Sequence, residues 1–245
     1  MTGLISWNGQ RSDQFGIMVE KFPDYSRPRR KFDSYTIPGR NGDLIMMQDA
    51  WENVEQRYSI AAGSGEQSSA PGYFSAIARW LCSPVGYCEL WDDFDPGYFR
   101  LAYYDGPFDI ESLADGRYGR AVIKFICMPQ KFLISGKEAV EITAATQIRN
   151  DTAYASKPLI KVERSAAGNG TVTVSGTIFT ITNIPEAGLF IDCEAMNCYD
   201  TIGNNLNNRV SSSSSQFASL KPGNNAIGFS GNVRRVFVTP RWFEI

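Results

Sequence analysis

The sequence predicts a mainly-β chain of two domains, with a single helix in the first. Three observations carry that expectation. Short runs rich in Val, Ile, Thr, Phe and Tyr recur along the 245 residues, punctuated by Gly, Pro or Asn. Only one stretch has helical periodicity. Near residues 132–140 a polar segment separates a strand-rich region from a hairpin-rich one, which places the domain boundary between 1–135 and 136–245. The length suits one large domain or two small ones. With 43% hydrophobic residues it is enough to bury a core without disulfides or metals.

The first notable segment runs from Arg27 to Leu44. Arg27, Arg29, Arg30 and Lys31 form a basic run beside an extended, Pro-containing stretch. Pro38-Gly39 and Asn41-Gly42 lie three residues apart, so the chain turns sharply twice. This fits two strands joined by a rigid polar corner, the second beginning at Leu44-Ile45-Met46. The helix is expected over 70–81. Phe74, Ile77, Ala78 and Leu81 share one face at i, i+3, i+4 and i+7. Ser68 or Ser69 would cap it, Pro71 suits its first turn, and Ser83-Pro84 ends it. Residues 86–128 then read as strands (YCELW, YFRLAYY, RAVIKFICM).

In the C-terminal half, Val172 and Val174 alternate with Thr171 and Thr173, Ser175-Gly176 offers a turn, and Phe179 and Ile181 continue a buried face. That is a hairpin with one side inward. Leu220-Lys221-Pro222-Gly223 suits a type II turn, and AIGFSG and VRRVFVTPRWFEI read as closing strands.

Composition removes several function classes. The chain has no histidine, which excludes Ser-His-Asp and Cys-His catalysis and imidazole-dependent metal sites. A net charge of −2 provides no basic excess for a phosphate backbone. The five cysteines, Cys82, Cys88, Cys127, Cys193 and Cys198, include no CxxC pair and read as buried free thiols. No signal peptide or transmembrane segment is expected.

Some local patterns resemble chemistry. Asp92, Asp93 and Asp95 precede Gly97, but the twelfth position counted from Asp93 is Tyr104, not the Glu of a calcium loop. Gly63-Ser64-Gly65 lacks the Lys and context of a phosphate loop. Asp192 and Glu194 alternate along a strand, and such a pair has glycosidase spacing, though nothing else completes a site.

Several segments together resemble the distal tail protein (Dit) family of long-tailed bacteriophages. They are SYTIPGRNGDL at 34–44, Trp51-Glu52-Asn53-Val54, a helix ending Trp80-Leu81 and the strand end Phe125-Ile126-Cys127-Met128-Pro129. Lys157-Pro158-Leu159-Ile160, Gly170-Thr171-Val172, Phe190-Ile191-Asp192-Cys193-Glu194, Asn204-Asn205 and the Phe217-to-Ile227 segment continue the likeness. It covers about residues 3–243. Each motif alone is weak; their order and spacing are specific.

The resemblance implies a non-enzymatic structural protein without cofactors. It implies an N-terminal β-sandwich or barrel-like domain with one α-helix, building a ring, usually a hexamer, at the far end of the tail tube. A central channel would pass DNA without binding it specifically. The C-terminal domain would be a galectin-like β-sandwich. Partners would be the tail tube, tape-measure and tail-associated hub or lysin proteins, with receptor-binding or side-fibre proteins, and no membrane. The location would be the virion tail tip, after synthesis in the host cytoplasm. Arg27, Arg29, Arg30, Lys31, Ile37 and Arg40 are the candidate interface residues, because the segment they occupy is long, basic and extended in an otherwise acidic domain. Asp92, Asp93 and Asp95 are candidate channel-lining residues, where carboxylates would repel phosphate. The rival reading is a carbohydrate-binding module or adhesin domain. Galectin-type His and Trp motifs are missing, but Tyr199 could stack on a sugar.

Overall fold

In a computed structural model, residues 2–63, 70–113 and 118–245 are described. The chain is mainly β and divides into two compact units, residues 1–131 with Ile245, and 132–244.

The strands of the first unit are β1 (Ile5–Trp7), β2 (Gln10–Arg11), β3 (Ile17–Val19), β4 (Arg30–Tyr35), β5 (Leu44–Trp51), β6 (Val54–Gly63), β7 (Cys88–Asp92), β8 (Tyr98–Tyr104), β9 (Glu111–Leu113) and β10 (Tyr118–Leu133), with helix α1 at Ala70–Cys82. The last two residues of β10 belong to the second unit. The main sheet has the order β2-β1-β7-β8-β10-β6-β3, with β9 also on β10. Along β6, buried Val54, Gln56, Tyr58, Ile60 and Ala62 alternate with more exposed residues. That period of two points one face of the strand at the core. The α1 face expected from periodicity supplies Ile77 and Leu81, with Trp80 beside them, and these pack with Trp7, Tyr58 and Phe125 of the sheet. The Trp7 indole N–H donates to the Leu81 carbonyl at 3.3 Å. One of the carbonyls that a helix end leaves without an internal partner is thereby satisfied. Ser64, Gly65 and the expected caps Ser68 and Ser69 lie outside the described residues.

The second unit holds β11 (Val140–Ile142), β12 (Thr146–Asn150), β13 (Leu159–Arg164), β14 (Gly170–Val174), β15 (Thr177–Ile181), β16 (Leu189–Asp192), β17 (Asn197–Asp200), β18 (Val210–Ser212), β19 (Gly223–Gly231), β20 (Val233–Thr239) and β21 (Phe243–Glu244). Two five-stranded sheets form, β11-β20-β13-β16-β17 and β12-β19-β14-β15-β18. Ile160, Val162, Ile191, Val236 and Val238 of one sheet and Val172, Val174, Phe179, Ile181 and Ile227 of the other share one core. The predicted hairpin is β14–β15, pairing Val174 with Thr177. Ser175 and Gly176 take φ of 49° and 88°, the double positive φ of a type I′ turn. Buried Asn225 pins the 220–223 turn: its amide oxygen accepts the Lys221 N–H and its amide nitrogen donates to the Lys221 and Gly223 carbonyls.

All five cysteines are free. Cys127, Cys193 and Cys198 are buried, whereas Cys82 is exposed and Cys88 half-buried. The expectation of buried thiols therefore fails at Cys82, the last residue of α1, which falls outside the helix's apolar face.

Candidate functional site

Among the described residues, β4 and β5 pair only with each other. Their connection begins with a turn in which the Arg40 N–H donates to the Ile37 carbonyl at 3.2 Å. Pro38 presets φ at its second position, and Gly39 supplies φ of 79° at its third. Gly42 has φ of 81° and makes the second sharp change of direction. Asp43 ties the far end together: its carboxylate accepts the Ser34 hydroxyl at 3.0 Å and the Thr36 hydroxyl at 2.9 Å. At the other end the Glu52 N–H donates to the Arg29 carbonyl at 2.8 Å. Two strands joined by a polar corner were expected, but β5 runs on to Trp51.

Register assigns the side chains to faces. Phe32 opposes Met47 and Ser34 opposes Ile45; Asp33 opposes Met46 and Tyr35 opposes Leu44. Since alternate residues point to opposite sides, Phe32, Ile45 and Met47 share one face, and Tyr35, Leu44 and Met46 the other. Leu44, Ile45, Met46 and Met47 are 40%, 56%, 56% and 59% exposed. A hairpin of two strands is marginal by itself. One with large apolar side chains bare on both faces calls for a covering surface.

The six candidate interface residues occupy this hairpin or its approach, and all six are exposed. Two of them already have work within the chain. The Arg29 guanidinium lies 4.9 Å from the Phe32 ring centre and pairs with Glu52 at 3.5 Å. Arg30 lies 4.7 Å from the Trp51 ring centre. These cations brace the hairpin base. Ile37 and Arg40 sit at the turn. Sequence reading missed Ile45, Met46 and Met47 as candidates. The signal was the unbroken apolar run 44–47, which alternation within a one-sided strand does not explain.

The acidic cluster differs from expectation. Asp92 is 6% exposed, so it faces no channel. Its carboxylate accepts the Tyr25 hydroxyl at 2.6 Å, the Tyr58 hydroxyl at 2.7 Å, and the Phe94 and Asp95 N–H groups at 3.0 Å each. Burial, then Asp92, pushes the Tyr58 phenol well above its ordinary pKa, and Tyr25 shifts the same way. Asp95 pairs with Lys131 at 2.7 Å, so its charge is largely neutralised. Asp93 is exposed and accepts the Leu4 N–H at 2.9 Å. The cluster is a structural turn, hung on a buried carboxylate.

The carboxylate pair of the C-terminal unit also changes. Asp192 ends β16, and Glu194 lies beyond it in a turn, so the two do not share a strand face. Asp192 accepts the Glu194 and Ala195 N–H groups and forms a two-pronged pair with Arg241 at 2.8 and 3.0 Å. Burial raises its pKa, but the Arg241 bonds and the backbone N–H groups outweigh that, leaving it lowered. An acid held ionised this way is a poor proton donor. Hydrogen bonds from Lys161 and Arg235 likewise lower Glu163. A carboxylate whose folded pKa is depressed stabilises fully above its unfolded pKa, about 4, and that contribution is lost as pH falls through the folded value. The second unit is therefore expected to lose melting temperature as pH drops below about 4. Arg241→Ala should flatten that loss; an equally steep acid dependence in the variant would contradict the assignment.

Tyr199, the stacking residue of the rival carbohydrate-binding reading, stacks on Phe190 with centroids 5.4 Å apart. Nearby Phe237 carries Lys161 and Arg235 at 5.4 and 5.0 Å from its centre. These rings are engaged with protein neighbours. Among the described residues no group of three or more Cys, Asp or Glu could hold a metal ion, and no helix is long and apolar enough to cross a membrane.

No protein-family model and no curated protein matches the chain. Solved structures do. The SPP1 Dit (gp 19.1) protein, described as a paradigm of the hub adsorption apparatus in phages infecting Gram-positive bacteria, aligns with a TM-score of 0.73 over 99% of both chains at 14% identity. Chains of the phage P2 baseplate in its activated conformation, with Ca and with Sr, align with TM-scores of 0.53 and 0.52 over 97% of both chains at 8% identity. At such identities the likeness establishes the fold: this chain has a Dit-like fold along its whole length.

Proposed function

We propose that this protein is a non-enzymatic structural component of a phage tail tip. Copies close into a ring, with six the expected number, at the end of the tail tube. The ring leaves a channel for DNA and serves as the hub for the adsorption apparatus. The observation that carries this reading is the Dit-like fold over 99% of the chain. Tail tube and tape-measure proteins, a hub or lysin protein and receptor-binding or side-fibre proteins are the partners this role requires. The virion tail tip is the location, and the host cytoplasm the site of synthesis.

The β4–β5 hairpin supports the reading. A ring needs a heterologous interface, in which one patch of a subunit meets a different patch of the next. A hairpin with apolar side chains that its own chain leaves bare suits such a contact. Arg27, Arg29, Arg30, Lys31, Ile37 and Arg40 belong to it through the hairpin they brace or occupy. Of the acidic cluster, we keep Asp93 as a channel-facing candidate.

Light scattering at micromolar concentration, with negative-stain images of the same sample, tests the proposal. A particle near six times 27.2 kDa with a central hole is the expected result. Reversing charge at both Arg29 and Arg30 to Glu should reduce the particle to smaller species. If the double variant assembles normally, the hairpin base has no part in the ring.

A further inference from the structure

We propose that the β4–β5 hairpin is clamped on both of its faces by other copies of this chain, rather than lying along one surface. The proposal rests on the ring reading above and adds the geometry of the contact. Phe32, Ile45 and Met47 lie on one side of the two-stranded sheet and Tyr35, Leu44 and Met46 on the other, by the observed register. Strands with one solvated face alternate polar and apolar residues, whereas strands covered on both faces carry continuous apolar runs. Leu44–Met47 is such a run, and among the described residues no strand other than β4 pairs with it.

Charge argues that the covering surfaces belong to the same chain. Residues 27–51 hold five cations and three anions, while the rest of residues 1–131 holds nine cations and fourteen anions. A cationic hairpin is thus matched to the acidic remainder of its own domain, which in a ring is offered by a neighbour.

Methionine oxidation reads both faces at once. Met46 and Met47 report opposite faces, and Met196, in a turn of the second unit, is an exposed reference; the three are 56%, 59% and 53% exposed. Assembled protein would be treated with hydrogen peroxide and the sulfoxides located by mass spectrometry. Met46 and Met47 are both expected to oxidise several-fold more slowly than Met196. Met46→Asn and Met47→Asn should each block assembly while leaving the far-UV circular dichroism of the chain unchanged, since both side chains are exposed within it and a neutral amide adds no charge opposite Asp33. Protection of only one methionine, or assembly of either variant, overturns the clamp and leaves the ring standing. A particle in which neither is protected does the same. A chain that stays monomeric at its highest soluble concentration, with both oxidising like Met196, overturns both readings.

Discussion

Replacing Trp7 by Ala is expected to cost the first unit about 3–5 kcal/mol, the range for losing a large buried aromatic. Trp7 is fully buried, its ring centre lies 4.9 Å from that of Phe125, and its indole N–H caps the Leu81 carbonyl. The substitution therefore opens a cavity between the sheet and α1 and frees a helix-end carbonyl in one step. In a domain of this size the loss lowers the melting temperature by roughly 10 °C or more. Trp7→Phe keeps most of the volume and should lose about half as much. Calorimetry distinguishes the outcomes: a loss under about 1 kcal/mol for Trp7→Ala would mean the site collapses without penalty, against the close packing described.

Asp92→Ala should be comparably damaging, at about 3–5 kcal/mol, because it strands four donors at once. Two are the buried or half-buried hydroxyls of Tyr58 and Tyr25, and two are backbone N–H groups of the β7–β8 turn. Asp92→Asn preserves an acceptor oxygen and should recover a large part of the loss. The effect should also reach the hairpin. Tyr25 lies in the segment between β3 and β4, and its bond to Asp92 is one of the ties holding that segment to the sheet. Hydrogen exchange of the β4–β5 amides should quicken in Asp92→Ala and stay unchanged in an equally destabilised core variant such as Trp7→Ala. If both variants quicken it alike, Tyr25 does not transmit the effect.

Much of the architecture was legible in the residues because local chemistry dictates it. The 171–181 hairpin needed only alternation plus a Ser-Gly turn. The helix needed one apolar stripe ended by Ser83-Pro84, and the 34–44 corner needed Pro-Gly and Asn-Gly. The candidate interface segment was found by the same route, through its cations and turns. These features depend on neighbours within a few positions in the chain, and sequence records those directly.

The fates of the charged groups were not legible, because their partners lie far off in sequence. Asp92 looked like one of three channel-lining acids, yet Tyr25 and Tyr58, 67 and 34 positions away, draw its carboxylate inward. Asp192 looked like half of a carboxylate pair until Arg241, 49 positions on, claimed it. The apolar run 44–47 could equally have been core. Only the tertiary structure leaves it bare on both faces, because among the described residues β4 and β5 form a sheet of their own, apart from the main one. Sequence by itself determined the helix, the 171–181 hairpin and the turns at 38–42 and 220–223, where the energetics are short-ranged. Tertiary structure decided which charges are buried and which apolar surface is left over, because burial depends on contacts that the order of residues does not state.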